Sequence, residues 1–430
     1  MSFPRKRESR PQIQINLKIW IPAFAGMTIK EVHPMNPSSD ISLSAYLHIP
    51  FCEKKCIYCD FYSIENLSLR SDFVDLLIRE IDLKLIANPK LAGRELQTIF
   101  FGGGTPSLLT PQELERIINK LSEHFRIAKD VEFTLECNPG MVTLEKLQAY
   151  KSLGVNRLSF GVQSFDAKEL AFLGRIHDAE QAREAVSFAR EAGFDNVSID
   201  LIFALPGQME SVLANTLREA IALETDHISA YNLIVEHGTP LYRLVQMNKV
   251  IELDPDRSAE LFEMVQRTLS DAGFEQYEIS NYAKSPEKRA KHNLVYWDGQ
   301  KDYVSFGPSA HEFIGGERAW NISSLEEYGK MIRAGKLPTI NRERLSIKER
   351  RTEILYLHLR STGIVLKDFM EVFGEDLLLN PEVGYFIEDG ILTNENGLLK
   401  LTQKGYRFCD GVVSKLMEEK KESYIPILVC

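Results

Sequence analysis

From Ala45 to about Leu233, short runs of apolar and β-branched residues alternate with longer stretches whose apolar positions recur at helical spacing. The runs Ala45–Ile49, Thr98–Phe101, Glu132–Leu135, Arg157–Gly161, Asn196–Phe203 and Ile228–Leu233 predict strands. The segments Asp72–Ala87, Pro111–Phe125 and Glu180–Ala192 predict amphipathic helices between them. Strand–helix alternation with short loops predicts an α/β fold of right-handed parallel βα units. The pattern alone leaves open a partial barrel of six units, a full eight-unit barrel and an open doubly wound sheet.

Beyond Leu233 the texture changes twice. Residues 234–340 read as further helix and an irregular, aromatic-rich stretch. After Pro338 the helical segments Ile347–Arg360 and Leu366–Phe373 precede short β runs at 390–392 and Leu398–Thr402, an order that predicts a winged-helix-like unit. The expected divisions are therefore an extension (1–40), a barrel (41–270), a flanking region (271–340) and a C-terminal unit (341–420).

Charge sharpens this picture. The 430-residue chain carries a net charge of −10, which argues against nucleic acid as a partner because phosphate binding needs a basic face. The first 34 residues run the other way: Arg5, Lys6, Arg7, Arg10, Lys18 and Lys30 against Glu8 and Glu31 give +4, leaving −14 for the rest. Segments 3–10 and 20–28 look like translated bacterial intergenic repeats, so Met35 is the expected natural start, with a disordered or mis-assigned tail before it. No apolar run reaches the ~18 residues needed to span a membrane. Six cysteines in so long a chain do not form a disulfide framework, and clustered thiols point to a reducing, cytoplasmic setting.

Three of those cysteines, Cys52, Cys56 and Cys59, fall in a Cys-x3-Cys-x2-Cys loop directly after the first predicted strand. Soft thiolates so close together select an iron–sulfur cluster, zinc or copper(I). Three ligands leave one iron of a four-iron cluster open. A structural zinc site needs a fourth ligand, for which His48 is the nearby candidate. Three consecutive glycines, Gly102 to Gly104, follow the second strand, and Glu136 closes the third. Both lie where βα folds keep their chemistry, at the C-terminal ends of strands. Gln163 offers a donor and an acceptor at the mouth of the fourth strand.

The triad, with Tyr58 before its last cysteine, resembles the signature of radical S-adenosylmethionine (SAM) proteins. The string Tyr46 to Cys52 (Tyr-Leu-His-Ile-Pro-Phe-Cys) resembles the group holding the oxygen-independent coproporphyrinogen III oxidase HemN and the heme chaperone HemW. That resemblance, which covers about Leu43 to Leu416, implies a partial (β/α)6 barrel, a [4Fe-4S] cluster on Cys52, Cys56 and Cys59, and SAM chelating the open iron and cleaved to a 5′-deoxyadenosyl radical. It also implies SAM contacts from Tyr46, Gly103, Gly104, Thr105, Glu136, Gln163, Arg175 and Asp200, with an ordinary ion pair as the competing explanation for Arg175 and Asp200. Tyr58 would cover the adenine or the cluster. Cys137 and Cys409 read as small buried hydrophobes and Cys430 as a free tail thiol.

The segment 292–297 decides between the two branches. Read alone, His292 beside Trp297 is a hydrogen-bonded packing histidine more often than a ligand. With Asn293 and Tyr296 it completes His-Asn-x-x-Tyr-Trp, which resembles the HemW branch and implies heme on His292 against Tyr296 and Trp297. The extra cysteine that HemN carries two residues beyond the triad is replaced here by Phe61. The preferred expectation is a cytoplasmic heme chaperone with no catalytic residue assigned. It would act as a monomer or as a dimer dependent on SAM and the cluster, and pass heme to an acceptor hemoprotein such as a membrane-bound respiratory enzyme. The alternative is the SAM-dependent decarboxylating oxidase.

Overall fold

The computed structural model describes residues 42–417; the expectations for the N-terminal extension, the start at Met35 and Cys430 lie outside them. Six strands follow one another as the alternation predicts: β1 (Ser42–Ile49), β2 (Glu95–Gly103), β3 (Arg126–Cys137), β4 (Arg157–Gln163), β5 (Val197–Phe203) and β6 (His227–Asn232). All five neighbouring pairs are parallel. The connecting helices are α1 (Arg70–Ala87), α2 (Pro111–His124), α3 (Leu144–Ser152), α4 (Ala167–Leu173), α5 (Ala179–Glu191) and α6 (Glu210–Ala222). Strand order equals chain order, so right-handed crossovers put every helix on one face and the sheet curls round the other. A doubly wound sheet would reverse its order midway, and a closed eight-unit barrel would pair its last strand with β1. Neither occurs, and the six units form an incomplete barrel.

Both barrel edges are occupied by later chain. Next come α7 (Pro240–Gln246), α8 (Pro255–Asp271), β7 (Glu275–Gln276), β8 (Asn281–Ala283), α9 (Lys291–Asp298), β9 (Tyr303–Phe306), β10 (His311–Ile314), β11 (Glu317–Asn321), α10 (Leu325–Arg333) and β12 (Thr339–Glu343). β8 pairs antiparallel with β6, whereas β9 runs parallel to the far side of β1 and leads into β10, β11 and β12. The β1 side is locked by two charged residues one turn apart on α1. Glu80 accepts hydrogen bonds from Gly307 N, Asn321 Nδ2 and Tyr328 Oη, each at 2.7 Å. Lys84 donates to Ser305 O at 2.6 Å and pairs with Glu312 at 2.7 Å. Both side chains are buried, so the helix keeps them only because every charge finds a partner.

The C-terminal unit has its own apolar core. It contains α11 (Ile347–Leu359), β13 (Ile364–Val365), α12 (Leu366–Phe373), α13 (Pro381–Glu388), β14 (Leu392–Glu395), β15 (Leu398–Leu401), α14 (Gln403–Tyr406) and α15 (Cys409–Met417). Two helices and a hairpin are as expected. α13 and the short β13, which completes a three-stranded sheet, were not legible. Asn380 caps α13 and Pro381 opens it, but Gly384 inside interrupts the helical signal. Asn396 and Gly397, both at positive φ, turn the β14–β15 hairpin.

Candidate functional site

The cysteine loop hangs from the end of β1 and is tied at four points. Cys52 N donates to Ile64 O at 3.0 Å and Ile64 N to Pro50 O at 2.8 Å. Ile57 N reaches Leu173 O at 3.3 Å, and Leu241 N reaches Ile57 O at 2.9 Å. So held, Cys52, Cys56 and Cys59 are free thiols lining one cavity of about 540 Å³. Burial pushes the Cys59 thiol up to about 11. Thr105 Oγ1 lies 3.6 Å from Cys52 Sγ, and Arg175 Nη1 lies 3.3 Å from Cys56 Sγ.

Among the described residues, the trio of His, Cys, Asp or Glu ligand atoms lying within 4.8 Å of one another is Asp82, Glu123 and His124, not the cysteines. His48, the zinc alternative's fourth ligand, is turned away. Its Nε2 bonds Tyr62 O at 2.8 Å and its Nδ1 bonds Tyr46 Oη at 3.1 Å. Burial lowers its pKa to about 4, so the ring is neutral.

The glycine loop is glycine for a packing reason as much as for ligand access. A Cβ on Gly103 would stand 2.6 Å from the His48 ring, and one on Gly104 would stand 2.6 Å from Phe51 O. Gly104 N donates to Ile49 O at 2.9 Å and Thr105 N to Phe51 O at 2.7 Å, so these amides brace the cysteine loop. Gly103 N bonds Glu136 Oε2 at 3.2 Å. Burial, and then the Asp200 carboxylate, push Glu136 up to about 8. Arg157 acts on both carboxyl groups and Arg175 on Asp200, yet burial still holds both acids up. Ser159 Oγ donates to Asp200 at 3.2 Å. Arg175 is not ion-paired with Asp200 or any other described carboxylate; it bonds Gly161 O at 2.5 Å. Gln163 sits at φ +68°, uncommon for a non-glycine, where β4 breaks register with β5, and its side chain lines the same cavity. Tyr58 packs on Leu173, Ile202 and Leu205 and walls the cavity too.

A second cavity of about 470 Å³ adjoins the first, sharing Gly103, Glu136, Ser159, Asp200 and Tyr231 with it. Tyr46, Arg157, Tyr296 and Tyr303 line it. His292 does not: it is wholly buried at the start of α9, with Nδ1 2.6 Å from Thr98 Oγ1 and Nε2 2.8 Å from Tyr296 Oη. Its ring stacks on Phe100 with centroids 4.9 Å apart, and burial drives its pKa down to about 3. Glu132 caps the same helix by accepting from Lys291 N and His292 N. Trp297 is half-buried on α9. Ligation of iron by His292 would require exchanging one of these hydrogen bonds. Two residues not anticipated also face the second cavity, Arg157 and His311. Arg157 is almost wholly buried with no hydrogen-bond partner for Nε. Cys137 and Cys409 are buried as expected.

Comparison with known proteins agrees with this geometry. The radical SAM superfamily matches residues 46–220. The heme chaperone HemW of Bacillus subtilis is 36% identical over 84% of this chain and 96% of its own length. HemW of Mycobacterium tuberculosis is 34% identical over 90% of this chain and 98% of its own. Among solved structures, coproporphyrinogen III oxidase (HemN) of Escherichia coli superposes with a TM-score of 0.74 over 87% of this chain and 90% of that one, at 23% identity, a likeness of fold.

Proposed function

The chain belongs to the HemW family of radical SAM proteins, and from that premise we propose that it is a heme chaperone, binding heme and handing it to an acceptor hemoprotein. Cys52, Cys56 and Cys59 would hold a [4Fe-4S] cluster. SAM would lie against Tyr46, Gly103, Gly104, Thr105, Glu136, Gln163, Arg175 and Asp200, beneath Tyr58. The cluster and SAM supply one-electron chemistry when bound. The observation that carries this half of the reading is the opening of three free thiols onto a single cavity.

The chain's own side chains prepare that cavity. Arg175 reaches the Cys56 sulfur, and Glu136 and Asp200 present carboxyl groups that a cationic ligand would draw into their ionised form. His48 orients the Tyr46 hydroxyl, and Tyr58 on its apolar bed restricts water. Among the described residues no helix is long and apolar enough to cross a membrane, and we assign heme loading to the cytoplasm, with a membrane-bound respiratory enzyme as one fitting acceptor. The carrier would be a monomer or a dimer that needs SAM and the cluster.

Two assays on anaerobically reconstituted protein test the reading. Added hemin should give a Soret band that disappears from the chaperone and reappears in an apo-hemoprotein. Coproporphyrinogen III with SAM and a reductant should give no protoporphyrinogen; its formation at enzymatic rates would replace the chaperone with the oxidase.

A further inference from the structure

An imidazole can hold heme iron only if one of its nitrogens is free to reach the metal. His292 and His48 both have their two ring nitrogens engaged. His311 differs. It opens β10, reaches solvent, and has no side-chain hydrogen-bond partner among the described residues. Its ring is nevertheless held: across the β10–β11 pair it stacks on Trp320, with centroids 5.6 Å and planes 18° apart. Partial burial and the nearby Arg318 lower its pKa, which keeps the imidazole in the neutral form that ligates metal.

His311 stands at the edge of the second cavity, whose walls include Phe61, Tyr62, Tyr296 and Tyr303. Aromatic faces suit a porphyrin plane, and 470 Å³ falls within the usual range of small-molecule sites. Arg157 on its wall already lies in the field of Glu136 and Asp200, so the aromatic faces and the free imidazole, not the cavity's charge, are what suit an iron porphyrin.

We propose that this cavity receives the heme, with His311 as axial iron ligand. This rests on the chaperone reading and names where in the molecule it operates. It also sets the cargo beside the thiol cavity, separated by the shared wall of Glu136, Asp200 and Tyr231.

The test is an anaerobic hemin titration of the reconstituted full chain, read by Soret position and by affinity. For His311→Ala we expect a displaced band and affinity weakened by about tenfold, the effect of losing one ligand worth about 1.4 kcal/mol. Added imidazole should restore the wild-type band. Iron and sulfide content equal to wild type would establish that the variant is folded, as expected for a side chain exposed and without hydrogen bonds. A His311→Ala spectrum and affinity identical to wild type, or a band displaced only by His292→Ala, would overturn the assignment. Failure of the wild-type chain itself to bind hemin would instead overturn the chaperone reading, so the two failures are distinct.

Discussion

Replacing Gly104 by alanine tests whether the glycine loop exists to let two strands' ends meet. The residue is not at positive φ, so the added methyl acts by volume alone. It would stand 2.6 Å from Phe51 O, 2.8 Å from Ile49 O and 2.9 Å from Phe51 N, all backbone atoms that cannot swing aside. The chain must then either keep the overlap, at about 1–3 kcal/mol, or retreat and lengthen the Gly104–Ile49 and Thr105–Phe51 hydrogen bonds, at about 1 kcal/mol each. Either route costs about 2 kcal/mol, a fall in Tm of about 2 °C for a chain of this size. Retreat also carries Thr105 away from Cys52, so iron retained after desalting should fall with Tm. Differential scanning calorimetry and iron analysis of the reconstituted variant would check both. A Gly104→Ala protein with wild-type Tm and full iron content would refute the packing argument.

Other consequences are sharper in sign than in size. Glu136 is pushed up to about 8, so below that pH a cationic ligand must displace its proton. SAM affinity should therefore rise as pH climbs from 6.5 to about 8 and level off above, and Glu136→Gln should flatten the profile; calorimetric titration showing a flat wild-type profile would contradict this. Lys84→Met should destabilise by about 3–5 kcal/mol, because it leaves Glu312 and the neighbouring Glu80 buried without their cation, and a loss under about 1 kcal/mol in urea unfolding would defeat that account. Gly411→Ala should raise stability by about 0.5–1 kcal/mol, since Gly411 lies within α15 with open space around its missing Cβ; an unchanged or lowered Tm would count against it.

Much of the site was legible because its signals are local. The triad spans eight residues, the glycines are consecutive, and Glu136 ends a recognisable strand, so short-range chemistry identified the elements that meet at the barrel mouth. Arg175 and Asp200 were less determinate, since an ion pair was the competing explanation until the fold showed Arg175 on a cysteine sulfur and a carbonyl. The buried pair on α1 was invisible, because a charged residue on a helix's inner face reads as exposed until its partners arrive from more than 200 residues later.

Hydrophobic periodicity by itself determined six strands alternating with helices, because each declares itself within one short window, but it left barrel and doubly wound sheet open. Only the tertiary structure decided what closes the two open edges: β9 beside β1 and β8 beside β6, pairings made by chain returning from far along the sequence. The same returns sealed His292 between Thr98 and Tyr296 and left His311 open at a cavity edge. A histidine's chemistry depends on whether its nitrogens are already bonded, and that is settled by neighbours distant in sequence.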